Sequence, residues 1–234
     1  MCYIRNMTDV SKMVFVDVDT QNDFCAPDGS LFVTSSRNDA FRRLTALAIE
    51  KRIPIVGSVD THSYDAWEFA SNENTGPDGA DPQFPDHCVK GTVGWLKIEG
   101  TLPARSVMIA EKEQEHVIRL SVIAQALRDG SCQAVYFEKE VYSFFANSSA
   151  AHLLVHLVHA GRTTAVVYGM ATDYCVKAAA LGLRERGWDV VVVSDAIAGV
   201  TPEGTVAAIT EMKVAGCQFI TEQELLDALA TKAA

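Results

Sequence analysis

The chain has 234 residues, of which 48% are apolar, and this is enough for one sizeable hydrophobic core. Its formal net charge is −10 and Lys and Arg form no cluster, which argues against nucleic acid as a partner. No apolar run approaches the length of a membrane span, and the N-terminus lacks the hydrophobic segment of a secretory signal. We therefore expect one domain, residues 1–234, in a cytoplasmic protein that acts on a small molecule and has no membrane partner.

Six cysteines lie far apart, at positions 2, 25, 88, 132, 175 and 217. They form no Cys-x-x-Cys pair, which argues against a zinc ribbon or a redox dithiol motif. We expect reduced thiols, most of which pack in the core.

Short β-branched runs alternate with helical patterns along most of the chain. The predicted strands are 13–18, 53–59, 105–110, 134–139, 164–170, 189–195 and 217–220. Nearly continuous apolar strands separated by helices are typical of a parallel sheet covered on both faces. The sequence therefore predicts an α/β fold, a three-layer α/β/α sandwich with a mainly parallel central sheet.

Helix signals fall between these strands. Thr201-Pro202 is typical of an N-cap followed by proline, TEQE at 221–224 is a capping box, and 115–127 shows a helical pattern. One segment, at about 60–105, is rich in Gly, Pro, Asp and Asn and shows little periodicity. Irregular segments of this length are usually functional or disordered, and the two histidines within this one favour a metal-binding or substrate-binding function.

The stretch AVVYGMATDYCV places Cys175 where a predicted strand gives way to a helix. A cysteine in the first helical turn experiences the positive end of the helix dipole, which favours the thiolate. Asp173 is a candidate cap of the same helix and would oppose this effect. Active sites of parallel α/β sheets lie outside the carboxyl ends of strands. Position alone leaves a structural and a functional cysteine equally open.

The same argument from strand ends nominates three carboxylates and one ammonium. Asp17, Asp19 and Asp23 follow the first strand, and Lys139 ends the strand 134–139. A carboxylate, an ammonium and a thiol at one sheet edge form a working catalytic set. Taken singly, each has an ordinary structural explanation, as a turn residue or a solvated surface group.

Five blocks of this sequence resemble, in order, those of the isochorismatase-like cysteine hydrolases, particularly the nicotinamidase/pyrazinamidase branch. They are DVDTQNDFCAPDGSL, DTHSYDAWEFA, FPDHCVKGTVG, FEKEVYSFFAN and VYGMATDYCVKAAALGL. The resemblance implies the isochorismatase-like fold, with Cys175 as nucleophile, Lys139 as the third member of a triad, and Asp19, two residues before QNDF, as general base. It also implies a cis peptide at Met170–Ala171 and an oxyanion hole formed by the N–H groups of Ala171 and Cys175.

Two short motifs offer candidate metal ligands. Asp60 and His62 stand in DTH, and His87 stands in PDHC. One carboxylate and two imidazoles with open positions suit Zn²⁺, Fe²⁺ or Mn²⁺, although histidines in loops more often face solvent or accept hydrogen bonds. The resemblance implies that all three bind a divalent transition metal and that no organic cofactor is used. The further ligand position holds Glu68, where many relatives have His, and Glu73 is a less favoured substitute.

Four aromatic residues complete the predicted site. The resemblance matches Phe24, Phe84 and Tyr142 to the wall of the substrate pocket, and Tyr174 replaces a histidine often found before the nucleophile. Ordinary core packing is the alternative explanation for these rings.

The resemblance implies hydrolysis of a small carboxamide, in the first place nicotinamide, to nicotinate and ammonia through a cysteine thioester. Three alternatives stay open: another small amide such as an N-carbamoyl or ureido compound, a non-catalytic binding or thiol-sensing protein, and isochorismate chemistry that leaves the thiol idle. The sequence does not decide between a monomer and a homo-oligomer.

Overall fold

The fold is built on a seven-stranded sheet whose strands all run parallel. The computed structural model describes residues 9–72, 83–111 and 117–230. Within them the strands follow the order β3-β4-β2-β1-β5-β6-β7. Their bounds are β1 Met13–Val18, β2 Ile55–Asp60, β3 Ser106–Ile109, β4 Ala134–Lys139, β5 Thr164–Met170, β6 Asp189–Ala198 and β7 Gln218–Ile220. The predicted parallel sheet is confirmed, and its four central strands β1, β2, β4 and β5 are buried along their whole length.

Helices cover both faces of this sheet. They are α1 Asn22–Cys25, α2 Asn38–Lys51, α3 Val117–Asp129, α4 Ser148–His159, α5 Lys177–Glu185, α6 Pro202–Val214 and α7 Glu222–Ala230. Apolar side chains of α3 to α6 form one core with the sheet, and those of α2 and α7 form a second core on the other face. The three-layer sandwich is therefore confirmed. Among the described residues, no helix has both the length and the apolar character needed to cross a bilayer.

Both predicted helix starts are present. The Thr201 hydroxyl accepts the Gly204 N–H at 3.0 Å, with Pro202 in the first turn of α6. At α7, the Glu224 carboxylate accepts the Thr221 N–H at 2.7 Å, and the Thr221 hydroxyl accepts the Glu224 N–H at 3.2 Å. This reciprocal pair is a capping box. The predicted helix 115–127 is observed from Val117, and its first two residues lie outside the described chain.

Some strand limits differ from the prediction. Strand β2 begins at Ile55 and not at residue 53, since Pro54 has no N–H to give to the ladder. Strand β6 runs on to Ala198, past the predicted end at 195, with a register shift opposite Val167 and Gly169 of β5. Sequence alone gave no sign of that irregular pairing.

The four central strands bring their carboxyl ends together at one edge. Asp60 at the end of β2 lies in register with Lys139 at the end of β4. Gly169, near the end of β5, has φ +128°, and a Cβ there would lie 1.9 Å from the Val18 carbonyl oxygen of β1. Glycine is needed for this close approach of two strands. The approach sets the position of the turn that carries Cys175.

Candidate active site

Three predicted residues meet at this edge, and we call Asp19, Lys139 and Cys175 the reacting set. The Lys139 ammonium lies 2.9 Å from Asp19 Oδ2 and 3.5 Å from the Cys175 sulfur. All three residues are buried, with Asp19 and Lys139 exposed by no more than 1%. The structure therefore brings together the carboxylate, the ammonium and the thiol. Their catalytic roles stay predictions.

Burial controls the protonation of this set. Burial raises the pKa of the Cys175 thiol well above its usual value, and the Lys139 ammonium opposes that rise only in part. Burial therefore opposes the effect of the helix dipole, which on sequence grounds favours the thiolate. Burial also raises the pKa of Asp19, again opposed by Lys139. A carboxylate made more basic in this way is a better acceptor for the thiol proton.

The other two carboxylates nominated after β1 have different partners. Asp17 is ion-paired with Lys97 at 3.0 Å. Asp23 accepts the N–H groups of Ser30 at 3.0 Å and Cys88 at 2.7 Å, so it fixes loops next to the site. The structure thus separates Asp19 from its two neighbours in the sequence.

Cys175 lies in a short π-helical turn, Thr172–Val176, that leads into α5. The peptide bond Met170–Ala171 is cis, as the resemblance implied. Asp173 does not cap this helix, which corrects the sequence-based expectation. Its carboxylate instead accepts the N–H groups of Val200 and Thr201 at 3.0 and 3.1 Å, ahead of α6. The carboxylate is therefore held by a neighbouring loop and not by the turn of the nucleophile.

The four predicted metal ligands converge beside the reacting set, and we call them the candidate metal site. Asp60 Oδ2 lies 3.1 Å from His62 Nε2 and 3.2 Å from His87 Nε2. Glu68 Oε1 lies 3.1 Å and 3.5 Å from the same two nitrogens. Asp60, His62 and His87 are buried and their ligand atoms lie within 4.8 Å of one another.

The chemistry of these donors fits a divalent cation. His87 Nδ1 lies 2.9 Å from the Pro85 carbonyl oxygen. In the tautomer with a proton on Nδ1, that nitrogen donates a hydrogen bond to the carbonyl and Nε2 keeps its lone pair toward the cluster. This arrangement is usual for histidine ligands of metals. Burial raises the pKa of Glu68, and the charge of Asp60 adds to this rise while His62 and His87 oppose it. Glu73 lies outside the described residues.

Asp60 joins the candidate metal site to the reacting set. Its Oδ1 accepts a hydrogen bond from Lys139 Nζ at 2.8 Å, while its Oδ2 faces the histidines. Although burial alone would raise the pKa of Asp60, Lys139, His62 and His87 hold it well below its usual range. Sequence reasoning assigned Asp60 only to the metal. The second contact depends on the register of β2 against β4, which no local pattern indicates.

Gln21 was missed in the sequence although it belongs to the QNDF block. Its side-chain amide donates to the Asp60 carbonyl oxygen at 2.8 Å and accepts the Asp60 N–H at 2.7 Å. The same amide donates to the Trp95 carbonyl oxygen at 2.9 Å. The Gln21 side chain therefore pairs with both backbone polar groups of Asp60, as an adjacent strand would, and fixes the position of Asp60.

A narrow cavity of about 40 Å³ opens onto Cys175, Asp60, Glu68 and His87. The four aromatic residues predicted for the pocket all line it: Phe24, Phe84, Tyr142 and Tyr174. The Tyr174 ring packs against the rings of both Tyr142 and Phe84, with centroids 5.1 Å and 6.0 Å away. A mostly apolar, aromatic wall next to a thiol and the candidate metal site suits a small planar ligand.

These features define the class of protein. A family model described as the isochorismatase domain matches residues 13–224, so the chain belongs to the isochorismatase family. The seven-stranded parallel sheet and its helices agree with that family's α/β fold.

Several relatives of this chain are named nicotinamidase or pyrazinamidase. It is 29% identical over 222 residues to the nicotinamidase of Escherichia coli strain K12, covering 87% of this chain and 92% of that protein. It is 28% identical over 211 residues to the nicotinamidase/pyrazinamidase of Mycobacterium tuberculosis, covering 87% and 95%. Its structure resembles the zinc complex of Pyrococcus horikoshii pyrazinamidase, with a TM-score of 0.68, 25% identity, and coverage of 90% and 99%.

Proposed function

We propose that this protein is a cysteine amidohydrolase that converts nicotinamide to nicotinate and ammonia. The observation that carries the proposal is the placement of Lys139 Nζ 2.9 Å from Asp19 and 3.5 Å from the Cys175 sulfur, beside a buried Asp-His-His cluster. The relatives named nicotinamidase support the substrate. The proposal extends to a single domain over residues 1–234 and to a cytoplasmic location.

The first half of the reaction forms the thioester. Asp19 accepts the proton of Cys175 as the sulfur attacks the carboxamide carbon, and the carbonyl electrons move to oxygen. In our proposal the N–H groups of Ala171 and Cys175 bind that oxyanion. Protonated Asp19 then donates its proton to the amide nitrogen, the C–N bond breaks, and ammonia leaves.

The second half releases the acid. Water attacks the thioester carbon while Asp19 accepts a proton from it, and collapse of the tetrahedral intermediate breaks the C–S bond. The proton returns to Cys175 and the carboxylic acid departs. Lys139 stays charged throughout, because its pKa is raised well above the usual value by Asp19 and Asp60 despite its burial. It therefore offsets negative charge on the carboxylate and the sulfur in turn.

The candidate metal site would hold a divalent transition metal through Asp60, His62, Glu68 and His87. Zn²⁺, Fe²⁺ and Mn²⁺ all suit this donor set, and a second carboxylate favours Mn²⁺ or Fe²⁺ over Zn²⁺. When bound, such an ion would hold the ring nitrogen of the substrate or a water beside the cavity. The residues of this chain supply the proton transfers and the nucleophile.

Replacing His87 by alanine is expected to remove bound metal. We expect metal content after purification without chelator to fall by about 10–100-fold, because the variant loses a buried imidazole that faces Asp60 and Glu68. His159→Ala, at the end of α4, is the matched control and should retain the wild-type metal content. Elemental analysis by mass spectrometry checks this. Equal metal in both variants, or none in the wild type, would remove this part of the proposal.

Replacing Tyr142 by alanine is expected to weaken substrate binding more than it slows chemistry. The Tyr142 residue is half-exposed at the cavity and its ring packs 5.1 Å from the Tyr174 ring. Loss of one aromatic contact should raise KM for nicotinamide by about 2–10-fold with little change in kcat. Steady-state kinetics measure both constants. A large fall in kcat at constant KM would speak against a wall function for Tyr142.

The proposed substrate is tested by ammonia release across a panel of small amides. We expect the highest kcat/KM for nicotinamide or pyrazinamide, and much lower values for N-carbamoyl and ureido compounds. Higher kcat/KM values for the N-carbamoyl and ureido compounds would be compatible with the proposed triad but would contradict nicotinamide as the substrate. No turnover of any amide would favour a binding protein on the same fold.

A further inference from the structure

A second buried polar cluster lies at the end of β1, outside the reacting set, and we call it the Lys97 cluster. Asp17 and Lys97 form an ion pair in which both side chains are 0% exposed. Lys97 Nζ donates to Thr20 Oγ1 at 2.8 Å, and Thr20 Oγ1 donates to Asp17 Oδ1 at 2.9 Å. The Tyr136 hydroxyl lies 3.2 Å from Asp17 Oδ2, and the ammonium lies 4.3 Å from the centre of the Tyr136 ring.

Stability alone does not account for this cluster. A buried ion pair is often no more stabilising than an apolar pair of the same volume, because both charges lose their water. The cluster also constrains β2, since a Cβ on Gly57 would lie 2.8 Å from carbon atoms of the Tyr136 ring. Lys97, Asp17 and Gly57 therefore occupy buried positions that apolar side chains would otherwise fill. This suggests a role beyond packing.

Two members of the Lys97 cluster, Asp17 and Thr20, lie on either side of Asp19 in the sequence. Asp19 has φ +46°, in the left-handed region that is unfavourable for a residue with a side chain. The hydrogen bond from Thr20 to Asp17 closes a short loop that contains Asp19. The Lys97 ammonium contacts the side chains of both Asp17 and Thr20. The Thr20 carbonyl oxygen also accepts the Ile98 N–H at 2.9 Å. The backbone of Asp19 is thus held from both sides.

We propose that Lys97, acting through Asp17 and Thr20, is a positioning residue for Asp19. It holds the left-handed conformation that places the Asp19 carboxylate 2.9 Å from Lys139 Nζ. Without Lys97, Asp19 relaxes toward an extended conformation and its carboxylate leaves the ammonium. The kinetic consequence rests on the proposed hydrolysis, in which Asp19 is the base, whereas the structural consequence does not.

Three variants test the kinetic consequence. The double variant Asp17→Val/Lys97→Met removes both charges together, so neither is left buried alone, and Thr20→Ala removes only the bridging hydroxyl. Both should lower kcat by about 10–100-fold, because a small displacement of a catalytic group is costly, while KM and metal content stay within about twofold. Thr20→Ser keeps the hydroxyl and should restore kcat to within about threefold of wild type.

The matched control breaks another ion pair far from the site. Arg43 forms two hydrogen bonds to Glu222, at 2.7 and 2.6 Å, between α2 and α7. Arg43→Gln should reduce stability and leave kcat unchanged. Wild-type kcat in the folded double variant and in Thr20→Ala would overturn the proposal. If the double variant does not fold, the comparison of Thr20→Ala with Thr20→Ser decides.

A crystal structure of Thr20→Ala supplies a readout that needs no substrate. We expect φ of Asp19 to leave the left-handed region and the distance from its carboxylate to Lys139 Nζ to exceed the roughly 4 Å limit of an ion pair. An unchanged conformation of Asp19 would overturn the positioning role. If the wild type hydrolyses no amide, the proposed function fails, and this structure still decides whether the Lys97 cluster positions Asp19.

Discussion

Replacing Cys175 by alanine is expected to lower amide hydrolysis by at least about 10⁴-fold, since removal of a nucleophile abolishes the covalent route. The residue is 7% exposed and its sulfur is the only group of the reacting set able to form a thioester. Alanine removes one buried sulfur without leaving a charge unpaired, so the fold should persist. Ammonia release under saturating nicotinamide measures the effect.

A second cysteine supplies the control for this experiment. Cys217 is buried just before β7, which forms one edge of the sheet. Cys217→Ala should keep wild-type turnover and lose only packing energy. Equal activity of Cys175→Ala and Cys217→Ala would contradict the assignment of Cys175 as nucleophile.

Replacing Lys139 by methionine is expected to reduce both activity and stability. The change removes an ammonium that lies 2.9 Å from Asp19 and 2.8 Å from Asp60, and it leaves two carboxylates buried side by side. Breaking a buried pair in this way costs about 3–5 kcal/mol of unfolding free energy. We expect kcat to fall by at least about 10³-fold, because the carboxylate and the sulfur lose the charge that offsets theirs. Urea unfolding with chelator present, so that metal does not replace the lost cation, measures the stability.

The stability lost in Lys139→Met should depend on pH. In the wild type the pKa of Asp60 is held well below its usual range, so its stabilising contribution is present at neutral pH and disappears on acidification. In Lys139→Met the charged Asp60 carboxylate destabilises the fold, and its protonation in acid removes this destabilisation. The difference in stability between the two proteins should therefore narrow as pH falls below about 4. A difference that widens in acid would contradict the charge argument.

An exposed lysine gives the matched comparison. Lys51 pairs with Glu50 at 2.9 Å, and the two side chains are 39% and 69% exposed. Lys51→Met should cost no more than about 1 kcal/mol, because water screens that pair. Similar losses in Lys51→Met and Lys139→Met would show that burial of the Lys139 charge is not what matters.

The sequence predicted the sheet well because of how its strands are buried. Strands β1 and β4 begin and end at the predicted residues, since apolar runs covered on both faces end where polar residues begin. The proximity of Asp19, Lys139 and Cys175 also follows from strand ends, given the parallel order. That the whole chain forms one domain stays a prediction.

Other parts of the site depend on contacts that sequence patterns do not record. The link from Asp60 to Lys139 requires the register of β2 against β4, and the pairing of the Gln21 side chain with the backbone of Asp60 requires the left-handed turn at Asp19. One signal for the Lys97 cluster was present, because Asp17 is a charge within an otherwise apolar strand. Its partner lies 80 positions away, in the irregular segment, where no periodicity indicated a contact.

The central claim is that Cys175 forms a covalent bond to the carbonyl carbon of the substrate. The most direct test is a crystal structure of the metal-loaded protein with a pyridine aldehyde, which has no leaving group and stops after addition of the thiol. We expect a bond from the Cys175 sulfur to the aldehyde carbon, with the oxygen facing the N–H groups of Ala171 and Cys175 and the ring between Phe24 and Tyr174. An aldehyde bound in the cavity without a bond to that sulfur, or bonded to another residue, would contradict the account.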